Sequence, residues 1–351
     1  MANYADIRFV DYFKVSTSAG ASGELYANGL QQVTVYIKLG LLGDDENSLK
    51  IDAPEELKKL QDAITLIDYD SKTPLQDAGG TGFTSWAYTD TEGEYEQLPA
   101  QAARTDKAEL GEAADLTETL IFYVVCPQGE TQRTIRIAAF LTLPDGTTAD
   151  TTSGTLDSFI EVVAKDPVSY QILDGNLKLD KVTIYKRTGG EDDYSEYGYV
   201  YHVYLPAGFR IKDKTIDRKK IYSHGISDEN YPWSSFPREI KSLEQVFSGI
   251  MSTARSFHYY FDKPTANQEL GSGGYTDEFP INSNDESFTF ATSRRVLWDE
   301  NDTATHAYIN ILNFSFHDQF GNPGQFHVKP VTALGEKDDV FHSYAELDIY
   351  N

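Results

Sequence analysis

Gln32-Val33-Thr34-Val35-Tyr36-Ile37-Lys38-Leu39-Gly40-Leu41 is the stretch on which the fold reading turns. Val33, Val35, Ile37 and Leu39 alternate with Thr34, Tyr36 and Lys38. Successive side chains of a strand point to opposite faces, so the aliphatic set shares one face and the polar set the other. The β-branched residues favour the same conclusion. Asn28-Gly29 just ahead is a strong turn signal. The stretch predicts a half-buried strand entered through a turn.

Working outward, strands are predicted over 7–15, 120–126, 134–143 and 156–163, with a polar loop over 16–23. Pro144-Asp145-Gly146-Thr147 is a turn between two of them. A short helix is expected after residue 51. Asp52 caps it, Glu55 completes a capping box ahead of Leu57 and Leu60, and Pro54 lies in the first turn, where proline is tolerated. Residues 71–116 are rich in Gly, Thr, Asp and Ala, and read as long loops with short strands around Trp86. Lys165-Asp166-Pro167 is the expected boundary, giving an immunoglobulin-like β-sandwich with a long loop insertion over 1–165 and a second, aromatic- and His-rich β-sandwich over 166–351. In the second half strands are predicted over 181–187, 197–205, 256–261, 287–297, 307–316, 325–331 and 340–349. A helix is predicted over 240–247 from the spacing of Leu243, Val246 and Phe247. Many short strands separated by Gly, Asp, Asn and Pro turns imply an all-β fold of two sandwich domains with a few short helices.

Composition narrows the function classes. The 351 residues carry 55 acidic and 30 basic side chains, a formal net charge of −25. Nucleic-acid binding rests on Lys and Arg neutralising phosphates, so this balance argues against it, and against an anionic membrane surface. The 23 Tyr, 19 Phe and 3 Trp are too many for a disordered chain. The single cysteine, Cys126, leaves no partner for an intrachain disulfide and sits in an apolar strand, where it reads as an inert core residue. No segment approaches the ~20 apolar residues that span a bilayer. Met1-Ala2-Asn3-Tyr4-Ala5-Asp6 lacks the basic-then-apolar pattern of a signal peptide. Synthesis in the cytosol is expected, followed by association with a particle or release by a non-classical route.

Catalytic motifs are missing from the sequence: there is no Gly-x-Ser-x-Gly elbow, no phosphate-cradling loop ending in Gly-Lys-Ser/Thr and no His-Glu-x-x-His. Gly271-Ser272-Gly273-Gly274 has neither the lysine nor the following helix of a phosphate loop and reads as a flexible loop. All seven histidines lie in the second half, with His317 and His327 flanking a loop; they read as satisfied or exposed side chains rather than a metal site. No resident cofactor is expected. Weak Ca2+ binding at the acidic turns Gly43-Asp44-Asp45-Glu46-Asn47 and Asp299-Glu300-Asn301-Asp302 is the one metal chemistry the oxygen ligands offer, and solvated turns are the plainer reading.

Aromatic stripes are the distinctive feature. Tyr197, Tyr199 and Tyr201 share one face of a predicted strand, and Phe257, Tyr259 and Phe261 share a face of another. Core packing, a protein interface and a sugar platform all use such stripes. The six residues are the candidate interaction residues.

Tyr26-Ala27-Asn28-Gly29-Leu30-Gln31-Gln32-Val33-Thr34-Val35 resembles the opening of bacterial immunoglobulin-like modules of the invasin/intimin type, in which Ala-Asn-Gly leads into an alternating Val/Thr strand. Pro144-Asp145-Gly146-Thr147-Thr148 and Ser153-Gly154-Thr155 are of a kind seen between such strands. The insertion from Asp44 to Leu116 departs from the compact module. The resemblance implies a sandwich used as spacer or adhesive and carries no catalytic residue. The expectation is a non-catalytic structural or interaction protein, self-associating or placed at the surface of a phage-like particle, a shell or a bacterial surface. Protein neighbours or further copies of the chain would be its partners. The alternatives are a β-rich secreted toxin component, its pore hairpin drawn from 287–297 and 307–316, and a carbohydrate-binding protein.

Overall fold

The computed structural model describes residues 2–79, 82–98, 117–172, 176–188, 195–217, 233–235, 242–251, 256–258, 278–280, 287–298, 312–330 and 347–350. The chain divides into two compact units, Met1–Pro167 with Phe320–Asn322, and Val168–Gln319 with Pro323–Asn351. The protein is all-β. Among the described residues it has one α-helix and two 3-10 turns, Tyr4–Asp6 and Gly154–Leu156.

The first unit runs β1 (Phe9–Ser16), β2 (Ser22–Tyr26), β3 (Val33–Leu42), β4 (Ser48–Leu49), α1 (Pro54–Asp62), β5 (Ile64–Asp68), β6 (Gln76–Asp77), β7 (Ala87–Thr89), β8 (Thr117–Val125), β9 (Thr134–Thr142), β10 (Thr148–Asp150) and β11 (Ile160–Lys165). One sheet has the order β1-β3-β8-β7-β6, with β4 added to β3. The other has the order β10-β9-β11-β2, with β5 on β9. Alternation in β3 does what the sequence requires: Val33, Val35, Ile37, Leu39 and Leu41 are buried, while Tyr36 and Lys38 stay half-exposed on the opposite face. Phe13, Val15, Leu120, Phe122 and Val124 extend that inner face. Leu66, Ile135, Ile137, Leu141, Ile160 and Val162 of the second sheet complete the same core. Full burial of each such side chain is worth about 1.5–3 kcal/mol. The facing aliphatic stripes, rather than any polar pair, therefore hold this sandwich together.

Local chemistry sets the joints. Asn28 Oδ1 accepts hydrogen bonds from the Leu30 and Gln31 amides, both at 2.9 Å, and Gly29 takes φ +75°, so Asn28-Gly29 is the turn that its residues predict. Leu143-Pro144-Asp145-Gly146-Thr147 closes β9 onto β10 with Gly146 at φ +86°. The helix cap differs from expectation. Ala53, not Asp52, is the N-cap, and no side-chain cap bond forms. Pro54 at the first helical position forces the residue before it to stay extended, which leaves Asp52 one residue too far out. The strand expected from residue 156 starts at Ile160, because Gly154–Leu156 forms a 3-10 turn between β10 and β11.

The second unit runs β12 (Lys178–Thr188), β13 (Ser195–Tyr204), β14 (Ile211–Asp217), β15 (Trp233–Ser235), β16 (Ser242–Met251), β17 (Ser256–His258), β18 (Glu278–Pro280), β19 (Ser287–Trp298), β20 (Leu312–Asp318), β21 (Pro323–Pro330) and β22 (Leu347–Tyr350). Its sheets have the orders β12-β13-β19-β16-β15, β14-β20-β21-β22 and β17-β18. Tyr170, Leu177, Val203, Leu205, Phe316 and Phe326 are buried. The helix predicted over 240–247 is corrected: this stretch enters β16, paired antiparallel with β19 from Ser242↔Trp298 to Met251↔Thr289. Val246, Phe247 and Ile250 suit a strand, and long-range pairing overrides the short helical spacing.

Candidate interaction surface

The register of the first sheet assembles a surface that no single strand announces. Ser16 lies opposite Tyr36, Lys14 opposite Lys38 and Tyr12 opposite Gly40. On the other side of β3, Tyr36 lies opposite Ile121, Lys38 opposite Thr119 and Thr34 opposite Tyr123. Residues directly opposite share a face. The outer face of the sheet therefore carries Tyr12, Tyr36, Ile121 and Tyr123 with Lys14 and Lys38. Tyr12 is 37% and Ile121 39% exposed. Burial, then the Glu92 carboxylate, pushes the Tyr123 phenol upward, so it stays protonated and able to donate. Lys14 Nζ donates to the Asp157 carbonyl at 3.0 Å, and Lys38 makes no ion pair among the described residues. The face combines two lysines, three tyrosines and an isoleucine with two carboxylates, Asp11 beside Gly40 and Glu92 beside Tyr123.

A cleft of about 220 Å3 opens at the edge of the second sheet. Thr17, Ser18 and Ala19 of the turn after β1 form one wall, Ser22, Gly23 and Glu24 of β2 another, with Glu161 and Val163 of β11 beside them. Val33, Thr34, Gln97 and Leu98 close it. Gly23 is required here. A Cβ on it would stand 2.8 Å from Val33 Cγ1, inside van der Waals contact.

No family model and no curated protein matches this chain.

Tyr197, Tyr199 and Tyr201 take alternate positions on β13, opposite Lys186, Thr183 and Lys181 of β12 and Arg294, Thr292 and Phe290 of β19. Phe257 lies on β17 opposite Phe279 of β18. Tyr259 and Phe261 lie outside the described residues, as do Gly271-Ser272-Gly273-Gly274, the turn Asp299-Glu300-Asn301-Asp302, His224, His306 and His342. β13 and β17 belong to different sheets, so the two aromatic stripes do not form one sheet face. The strands proposed for a pore hairpin are likewise in separate sheets, β19 between β13 and β16 and β20 between β14 and β21.

The acidic turn after β3 is tied down: the Gly43 amide bonds the Asn47 carbonyl at 3.0 Å, and Asp44 pairs with Arg8 at 2.9 Å. No group of three His, Cys, Asp or Glu able to hold a metal occurs among the described residues. His317 Nδ1 sits 2.9 Å from Asp213 Oδ1, and His327 lies opposite Asn313. Tyr170 and Asp318 form a buried polar pair, in which the Tyr170 hydroxyl donates to Asp318 Oδ2 at 2.6 Å. Gln319 Nε2 donates to the Gly208 carbonyl at 2.8 Å, and its Oε1 accepts from the Arg210 amide at 2.7 Å. These bonds tie the end of β20 to the 208–210 turn, a structural role that satisfies buried polar groups. The outer face of the first sheet escaped the sequence reading. Tyr36 and Lys38 were visible as the polar half of β3, but only the register adds Tyr12, Ile121 and Tyr123.

Proposed function

We propose that the protein is a non-catalytic structural or interaction component that associates with protein neighbours, including copies of itself, at the surface of a larger assembly. The observation that carries this reading is the outer face of the first sheet, where Tyr12, Tyr36 and Ile121 stand partly exposed on a rigid sheet beside Lys14 and Lys38. Tyrosine supplies a large apolar contact with a polar tip at little entropic cost, and is enriched where proteins meet. The strand order of the first unit supports an immunoglobulin-like spacer or adhesive. β1-β3-β8-β7 faces β5-β9-β11-β2, the division of an immunoglobulin sandwich with its first strand split between the two sheets. The tyrosines of β13 and Phe257 remain second candidates for contact on sequence grounds.

The test is light scattering coupled to size exclusion, with negative-stain images of any large species. A discrete oligomer, tube or lattice is expected, and the double variant Tyr36→Ser/Ile121→Ser is expected to run as a monomer with an unchanged circular-dichroism spectrum. A monomer at every concentration, with no partner recovered, would overturn the reading.

A further inference from the structure

β2 is an edge strand whose outer backbone is closed at both ends and open in the middle. Its inner side is spent on β11: the Glu161 amide donates to the Ala21 carbonyl at 2.9 Å and the Ala27 amide to the Lys165 carbonyl at 2.8 Å. In a parallel ladder these two bonds fix the alternation. Residues 21, 23, 25 and 27 bond inward, and Ser22, Glu24 and Tyr26 present their amides and carbonyls outward. The Ser22 carbonyl accepts from Thr17 Oγ1 at 2.5 Å. The Tyr26 amide donates to Gln31 Oε1 at 2.6 Å, and the Tyr26 carbonyl accepts from the Asn28 amide at 2.8 Å. Between these two closures the Glu24 amide and carbonyl have no partner among the described residues.

This open pair borders the 220 Å3 cleft. We propose that β2 accepts one extended peptide segment of a partner, bearing a Lys or Arg opposite Glu24. One residue of an antiparallel neighbour exchanges both of its backbone bonds with one residue of the edge, which is what the Glu24 pair offers. The side chains at that rung share a face, so the incoming cation lies on the side that carries Glu24 and Glu161. Glu24 already pairs with Lys165 at 2.6 Å, whereas exposed Glu161 has no ion pair among the described residues. Val163, which lies directly opposite Glu24 on that face, suits the aliphatic stem of such a residue. The Thr17 and Gln31 caps limit the ladder to a short segment. The inference rests on the reading of the chain as an interaction component but uses a different surface, so the two fail separately.

The probe is the blocked pentapeptide acetyl-TVKVT-amide, titrated into the full chain while the Glu24 amide is followed by NMR. The expected result is a saturable shift of that amide, slowed hydrogen exchange there, and an affinity about tenfold above that of acetyl-TVEVT-amide at low salt, the ratio shrinking at high salt. N-methylation of the central lysine removes one ladder donor and should abolish binding with the protein untouched. Glu24→Pro removes the open amide, a change an edge strand tolerates, and should abolish binding, while Glu24→Gln should keep the ladder and weaken the charge preference. No saturable binding by any peptide, equal binding of the N-methylated peptide, or a cleft that takes simple hexoses instead would overturn the proposal. Loss of self-association with peptide binding intact would count only against the broader reading of the outer face.

Discussion

Cys126 and His202 show how burial, ahead of any charged neighbour, sets the chemistry of single residues in this protein. Cys126 follows β8 with no exposed surface, and burial pushes its thiol up to about 11. The thiolate is the reactive form, so native protein should resist iodoacetamide at pH 8 and react fully in denaturant. Mass spectrometry of the two samples checks this, and rapid native labelling would contradict the packed environment. His202 on β13 is buried, and desolvation lowers it from the ordinary 6.5, with Asp180 acting weakly in the other direction. A lowered folded value means that the unfolded chain takes up the proton first. The contribution is intact above about pH 6.5 and is lost as the pH falls toward the folded value. Thermal unfolding between pH 7.5 and 5 should show an acid-side loss that His202→Gln reduces. An identical slope in the variant would show that other groups cause it.

Elements differ in how far their own residues determine them. β3 was legible because its two faces differ in chemistry along its whole length. β2 was not. Ser22-Gly23-Glu24-Leu25-Tyr26 buries only Leu25, and its place is set by β11, which is remote in sequence. β16 was misread for the same reason: Leu243, Val246 and Phe247 satisfy a helical spacing locally, and only pairing with β19 decides for strand. Register also explains a glycine that the sequence does not flag. Gly324 on β21 lies directly opposite Phe316 on β20, and a Cβ at Gly324 would penetrate the buried Phe316 ring. An aromatic folded over a cross-strand glycine is a device that pins strand register. Gly324→Ala should destabilise the second unit by roughly 1–3 kcal/mol through overpacking, and Phe316→Leu should recover part of that loss. Denaturant melts of the single and double variants measure it. Additive losses would mean that the two residues do not share the site.

At the scale of the whole molecule, charge opposes the association that the outer face of the first sheet favours. Each chain carries a formal charge of −25, so two copies repel at long range. The face itself presents Lys14 and Lys38 beside Asp11 and Glu92, and at short range the two lysines attract an acidic surface of a neighbour. These two contributions respond to salt in opposite senses but over different distances. Long-range repulsion is screened once the Debye length falls to about 10 Å, near 0.1 M salt, whereas close apolar burial of Tyr12, Tyr36 and Ile121 is not screened at all. Self-association should therefore be weak at low ionic strength, strengthen between about 10 and 150 mM salt, and persist above that range. Sedimentation velocity across that series tests the balance. Association that dissolves steadily with added salt would mean that the lysines, not the tyrosine face, hold the copies together, and Lys14→Gln/Lys38→Gln would then abolish it where Tyr36→Ser/Ile121→Ser would not.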